Sequence, residues 1–211
     1  MQSLTDICSL ITSCKKCDLY FSRKRAVCGY GTDKPKLVII GEAPGAKEDE
    51  VGKPFVGRSG NLLNKALNYA GILSKDIYIT NSVRCRPKIG KSPKITEIKS
   101  CSDYLKEEIS ILKPLILVPM GNSAIRSLNI ILGTKLGRIS ELEGSLIYLD
   151  GRLIAPQYHP AAILRNPKKM EQFKDNFVKI AEILKDLDNG LSDSVLSNYK
   201  IRKINASSSY S

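Results

Sequence analysis

The sequence predicts an α/β fold in which a central four-stranded parallel sheet is sandwiched by helices, and three observations carry that prediction. Apolar runs recur at residues 36–40, 76–80, 115–120 and 152–157, each short and bounded by turn residues, as strands buried on both faces are. Apolar residues at helical spacing fill the intervals between the runs, and strands that alternate with helices pair in parallel beneath helices on both sides. The chain has 211 residues, the size of one sizeable domain.

Residues 3–13 put Leu4, Ile7, Leu10 and Ile11 at helical spacing, so a short amphipathic N-terminal helix leads into "CKKC". The first strand, "KLVII", ends at a glycine and is followed by "GEAPGAKEDEVGKPFVGRSG", residues 41–60. That segment is expected to lack secondary structure, and at such length a loop in a compact domain is usually functional. Leu62, Leu63, Ala66, Leu67 and Ala70 mark a helix stopped by Gly71. After the strand "DIYIT" come Ile98, Cys101, Leu105, Ile109 and Leu112, again one helical face. The strand "LILVPM" precedes a shorter helix that starts near Asn122. "SLIYLDGRLIA" reads as a hairpin turned at Asp150-Gly151, which adds an antiparallel piece. A long helix covers about 167–187. The domain is expected to span 1–188, and 189–211, with seven serines, to form a disordered tail.

The chain holds 33 Lys plus Arg against 21 Asp plus Glu, a formal net charge of +12. Such a balance favours polyanionic partners, nucleic acid first among them, through phosphate neutralisation. No apolar run approaches the ~18 to 20 residues that span a bilayer, and residues 1–17 lack the pattern of a signal peptide. A cytoplasmic protein without a membrane partner is expected. Thiols there stay reduced, so the six cysteines point to metal ligation more than to disulfides. Cys14 and Cys17 have the spacing that lets two thiolates reach one metal, and Cys85 and Cys101 could complete four ligands. Tetrahedral sulfur suits a [4Fe–4S] cluster and a structural zinc equally. Cys8 and Cys28 read as structural.

In open parallel sheets ligands sit beyond the carboxyl ends of the strands, which directs attention to 41–60, 81–94 and 158–169. Asn81 ends "YITN" with an amide that can both donate to and accept from a base edge. "RCRPKIGKSPK", residues 84–94, has five basic residues and no acid, so Arg84 and Arg86 are expected to grip phosphates. His159 is the only histidine and stands beyond the fourth strand, where an electrophilic or acid–base role is open to it. Leu164 beside Arg165 has two readings: an apolar side chain that wedges into a base stack while the cation holds a phosphate, or, as is ordinary, a residue packed against the sheet.

Together "GEAPGAKEDEVGKPFVGRSGNLL", "YITNSVRCRP" and "HPAAILRNP", with the four cysteines in order, resemble the family 4 uracil-DNA glycosylases, the iron-sulfur branch of that superfamily, over about residues 3–185. The resemblance implies a [4Fe–4S] cluster on Cys14, Cys17, Cys85 and Cys101 rather than zinc. It implies hydrolysis of the bond between uracil and deoxyribose in double- and single-stranded DNA by a monomer. It also suggests a sliding-clamp partner, for which the tail offers no clear binding peptide. In these terms Phe55 stacks on the flipped uracil, Asn81 reads its O4 and N3 edge, and His159 donates to O2, with backbone N–H groups from the Gly41 to Gly45 turn. Glu42 is expected to stabilise the cationic sugar or orient water, and Glu48 to exclude the thymine methyl. One position departs from the better-known branch: Ala43 stands where that branch supplies a water-activating aspartate. The competing reading is an iron-sulfur nucleic-acid-binding protein without glycosylase activity, which would not need Asn81, Phe55 and His159 at three strand ends.

Overall fold

The computed structural model describes residues 3–187, 197 and 199–204. In chain order the elements are α1 (Leu4–Ser13), β1 (Tyr30–Gly31), β2 (Leu37–Gly41), α2 (Ala46–Val51), α3 (Arg58–Tyr69), β3 (Ile77–Asn81), α4 (Ile95–Leu112) and β4 (Ile116–Pro119). They continue with α5 (Asn122–Leu132), α6 (Ile139–Leu142), β5 (Leu146–Leu149), β6 (Arg152–Ile154), α7 (Pro160–Arg165), α8 (Met170–Asp186) and β7 (Ile201–Lys203).

Among the described residues, seven strands form a mixed sheet in the order β1-β3-β2-β4-β6-β5-β7. Its centre, β3-β2-β4-β6, is parallel throughout, and this is the four-stranded unit that the apolar runs predict. The alternation of side chains explains why those runs have no polar face. Leu37, Ile39, Ile116, Val118 and Leu153 pack on one side among residues of α3, α7 and α8. Val38, Ile40, Leu117 and Ile154 pack on the other among residues of α4 and α5. Both faces are covered, so every residue of β2 is buried.

The additions lie at the edges. β5 and β6 form the expected antiparallel hairpin, with Asp150 at φ 45° and Gly151 at φ 79°, the left-handed pair that a two-residue turn demands. β1 pairs antiparallel with β3. β7 pairs parallel with β5, which corrects part of the expected disordered tail: residues 201–203 are a sheet edge, and Tyr199 donates to Asp186 Oδ2 at 2.6 Å. The rest of that tail, 189–196, 198 and 205–211, lies outside the described residues. The segment 41–60 also differs from expectation. It contains α2, ended by Gly52 at φ 80°, and the first turn of α3, elements too short or too glycine-rich to show a period in sequence.

A third apolar cluster joins α1 to α4. Ile7 and Ile11 of α1 meet Ile98, Cys101 and Tyr104 of α4 there. Cys8 is joined to Cys28 by a disulfide, which corrects, for these two, the expectation that the cysteines point to metal ligation more than to disulfides. Sequence distance hides that pairing, because the two residues are brought together only by the path from α1 to β1.

Candidate active site

β2 and β3 end side by side, with Gly41 paired in register to Asn81. The pairing is prolonged past both ends: the backbone N–H and the hydroxyl of Ser82 both donate to the Gly41 carbonyl, at 2.9 and 2.8 Å. Asn81 is 3% exposed. Its backbone carbonyl accepts from Arg84 Nη1 at 2.7 Å, whereas its side-chain Oδ1 is buried without a hydrogen-bond partner. A buried acceptor left unmatched is costly, and this one borders a cleft of about 720 Å³ lined also by Phe55, Glu48, Glu42 and His159.

Phe55 reaches the cleft through an uncommon backbone conformation, φ 54°, which non-glycine residues adopt only when their surroundings impose it. The surroundings are two glycines. A Cβ at Gly60 would collide with the Phe55 carbonyl, and one at Gly41 would lie 2.7 Å from Phe55 Cζ. The Phe55 ring then stands 5.9 Å from the His159 ring, centroid to centroid, at 36°.

His159 caps α7. Its Nδ1 accepts from the Ala161 backbone N–H at 3.2 Å, so in the neutral imidazole the proton sits on Nε2. Burial holds its pKa below the ordinary 6.5, with Glu42 opposing that shift and Arg165 adding to it. The site therefore offers an uncharged N–H donor at neutral pH.

The acids of 41–60 separate into four environments. Both oxygens of Glu42 accept hydroxyl hydrogen bonds, Oε2 from Ser123 at 2.7 Å and Oε1 from Ser92 at 3.2 Å. Glu48 Oε1 accepts from the Gly57 backbone N–H at 2.8 Å, and a Cβ at Gly45 would lie 2.6 Å from its Oε2. Asp49 is 1% exposed and accepts from the backbones of Lys24 and Arg25, fastening the N-terminal segment to α2. Glu50 makes surface ion pairs with Lys47 and Lys24. Only Glu42 and Glu48 face the cleft.

The cleft thus gathers an amide at the end of β3, a ring between α2 and α3, and an imidazole at the start of α7, and comparison of the sequence with known proteins shows the family. The family model of the uracil DNA glycosylase superfamily matches residues 28–187. The chain belongs to the uracil DNA glycosylase superfamily. Among its relatives in that superfamily is a type-4 uracil-DNA glycosylase of Archaeoglobus fulgidus, 37% identical across 87% of this chain and 94% of the relative. Type-4 uracil-DNA glycosylases of Pyrobaculum aerophilum, 40% identical across 78% and 86%, and of Saccharolobus solfataricus, 38% identical across 87% and 88%, are similarly close.

Within this superfamily member, the site residues expected from sequence fall into three groups. Gly41, Glu42, Glu48, Phe55, Asn81 and His159 come together around one cleft. Arg86 lines the same cleft, and Leu164 lies exposed on α7 with Arg165. Arg84 is a correction: it is 2% exposed and paired with Glu108 at 2.7 Å, so it cannot grip a phosphate. Ser123, which holds Glu42, was missed. Its signal was its place just beyond the carboxyl end of β4, the same rule that picked out Asn81.

The four remaining cysteines are free and share the cluster between α1 and α4. Burial pushes the Cys101 thiol up to about 12, with Cys85 and Cys14 adding to the rise against Arg84. Burial likewise raises Cys85, opposed by Arg23, whose Nη1 donates to its Sγ at 3.0 Å. Among the described residues no three His, Cys, Asp or Glu side chains are gathered at metal-ligand spacing. The donor chemistry nevertheless suits a four-sulfur group: four free thiols share one apolar cluster, and Arg23 Nη1 donates to one of the sulfurs. Among the described residues no helix is long and apolar enough to cross a membrane.

Proposed function

We propose that the chain is a type-4 uracil-DNA glycosylase, which turns uracil out of double- or single-stranded DNA and hydrolyses the bond between uracil N1 and deoxyribose C1′, leaving an abasic site. The observation that carries this reading is the buried, unpartnered Oδ1 of Asn81 in a cleft shared with an aromatic ring and the only histidine.

Extruding a base costs a few kcal/mol, and the site must offset that. The Phe55 ring offers a stacking face. Asn81 Oδ1 accepts the uracil N3–H and Nδ2 donates to O4; cytosine exchanges that donor and acceptor and is refused. As the C1′–N1 bond breaks, its electron pair moves onto the uracil ring and charge gathers on O2. His159 Nε2–H donates there, an interaction stronger in the transition state than in the ground state. Glu42, kept in place by Ser123 and Ser92, stabilises the cationic sugar and orients the water whose oxygen bonds to C1′; that water gives up one proton to solvent, and the departing uracil anion takes one up. Glu48, pinned beside Gly57, occupies the space that a thymine methyl would need. Arg86, Leu164 and Arg165 contact the DNA strand.

Cys14, Cys17, Cys85 and Cys101 would hold a [4Fe–4S] cluster. When bound it supplies a four-sulfur cross-link between the end of α1, the segment after β3, and α4.

The test is incubation of the purified protein with duplexes carrying one uracil, thymine or hypoxanthine, followed by alkaline cleavage of abasic sites. Strand breaks at uracil and none at thymine are expected. Intact strands at uracil would overturn the proposal.

A further inference from the structure

The segment after Cys85 carries a feature that the uracil pocket does not use. Ile89 is 87% exposed, the most exposed large hydrophobic side chain among the described residues. It stands at the tip of a tight turn, in which the Lys91 backbone N–H donates to the Lys88 carbonyl at 3.0 Å and Gly90 takes φ 74°, the left-handed residue that such a turn requires. Ile89, Lys88, Lys91 and Arg86 all line the active-site cleft.

The stem of the turn is anchored on both sides. Pro87 and Pro93 restrict its backbone, and Ser92 donates to Glu42 Oε1 at 3.2 Å. An apolar tip flanked by two lysines, on a stem tied to the residue assigned to the sugar, is chemically matched to nucleic acid. The cations meet phosphates, and the tip meets the apolar faces of bases, which a flipped-out nucleotide leaves uncovered.

We propose that Ile89 is a second apolar wedge, separate from Leu164, that packs against the base step beside the extruded uracil in duplex DNA while Lys88 and Lys91 hold the flanking phosphates. This rests on the glycosylase reading above. Single strands have no stacked partner step to hold open, so the contribution of Ile89 is specific to duplex.

The experiment compares wild type with Ile89→Ala in single-turnover excision of uracil from duplex and from single-stranded oligonucleotides. The side chain is exposed, so unfolding midpoints of the two proteins should coincide. A fall of about 10-fold in the ratio of duplex to single-strand rate is expected, the scale of a lost wedge against unstacking. An unchanged ratio would overturn the proposal. A duplex with 2-aminopurine beside the uracil reads unstacking without any excision. Wild type should brighten the probe more than Ile89→Ala does, and equal brightening would overturn the wedge. Should wild type excise no uracil from either substrate, the glycosylase reading falls, and the fluorescence comparison still decides the wedge by itself.

Discussion

Arg84 Nη2 lies 2.7 Å from Glu108 Oε2, with both side chains 2% exposed, and the same guanidinium donates through Nη1 to the Asn81 carbonyl and to the Thr80 hydroxyl. Glu108 also accepts from Tyr78 at 3.2 Å and from Thr80 at 2.9 Å. A buried ion pair is weak evidence for stability in itself, but breaking one strands a charge. The pair is thus a brace between α4 and the last residues of β3, where the base-reading amide sits.

Removing one partner of that brace should be costly. Arg84→Ala is expected to lose about 3–5 kcal/mol of folding stability, measured by urea denaturation, whereas Arg84→Met combined with Glu108→Leu should recover most of it. A loss in Arg84→Ala no larger than a surface substitution would show that the network is not a brace.

The single histidine makes its ionisation directly measurable. Nitrogen NMR of His159 should show a midpoint below 6.5 and a neutral form protonated at Nε2, because Nδ1 accepts from Ala161. In the window just below 6.5 the unfolded chain binds more protons at this residue than the folded one, so its contribution to stability falls as pH drops through that window. A midpoint at or above 6.5 would contradict the neutral-donor account.

Glu48 is held by the Gly57 N–H and fits against Gly45, where any Cβ would collide with its carboxylate. Glu48→Ala should therefore admit thymine, with about 10- to 200-fold lost in uracil-over-thymine discrimination, the range one methyl is worth in a shaped pocket. The ratio of single-turnover rates on T·G and U·G duplexes checks it. An unchanged ratio would assign the methyl exclusion elsewhere.

The purified protein is expected to be brown and to carry ~4 iron and ~4 sulfide per chain, and Cys85→Ala to lose most of both. Colourless protein with stoichiometric zinc would replace the cluster by a zinc site.

The parallel centre of the sheet was legible because buried strands leave no alternative to continuous apolar runs, as in β2, where all five residues are buried. Asn81 and His159 were legible from the strand-end rule. What sequence could not convey depended on partners distant in the chain. Arginine is almost never fully buried unless paired, so nothing in "SVRCRP" announces that Arg84 meets Glu108. The Cys8–Cys28 bond arises in the same way. β7 hides in a polar, serine-rich surrounding, where three residues gain their strand character only from the edge of β5. Ile89 was visible as a residue within a basic loop, but its exposure was not.

On the proposed reading, Asn81 recognises uracil within a pocket completed by Phe55 and His159. Single-turnover excision by Asn81→Ala, set beside its binding to uracil-free duplex, tests it most directly. A loss of ~100-fold or more in excision is expected, with duplex binding nearly unchanged because phosphate contacts dominate affinity. Excision retained at the wild-type rate, or binding lost in step with excision, would contradict it.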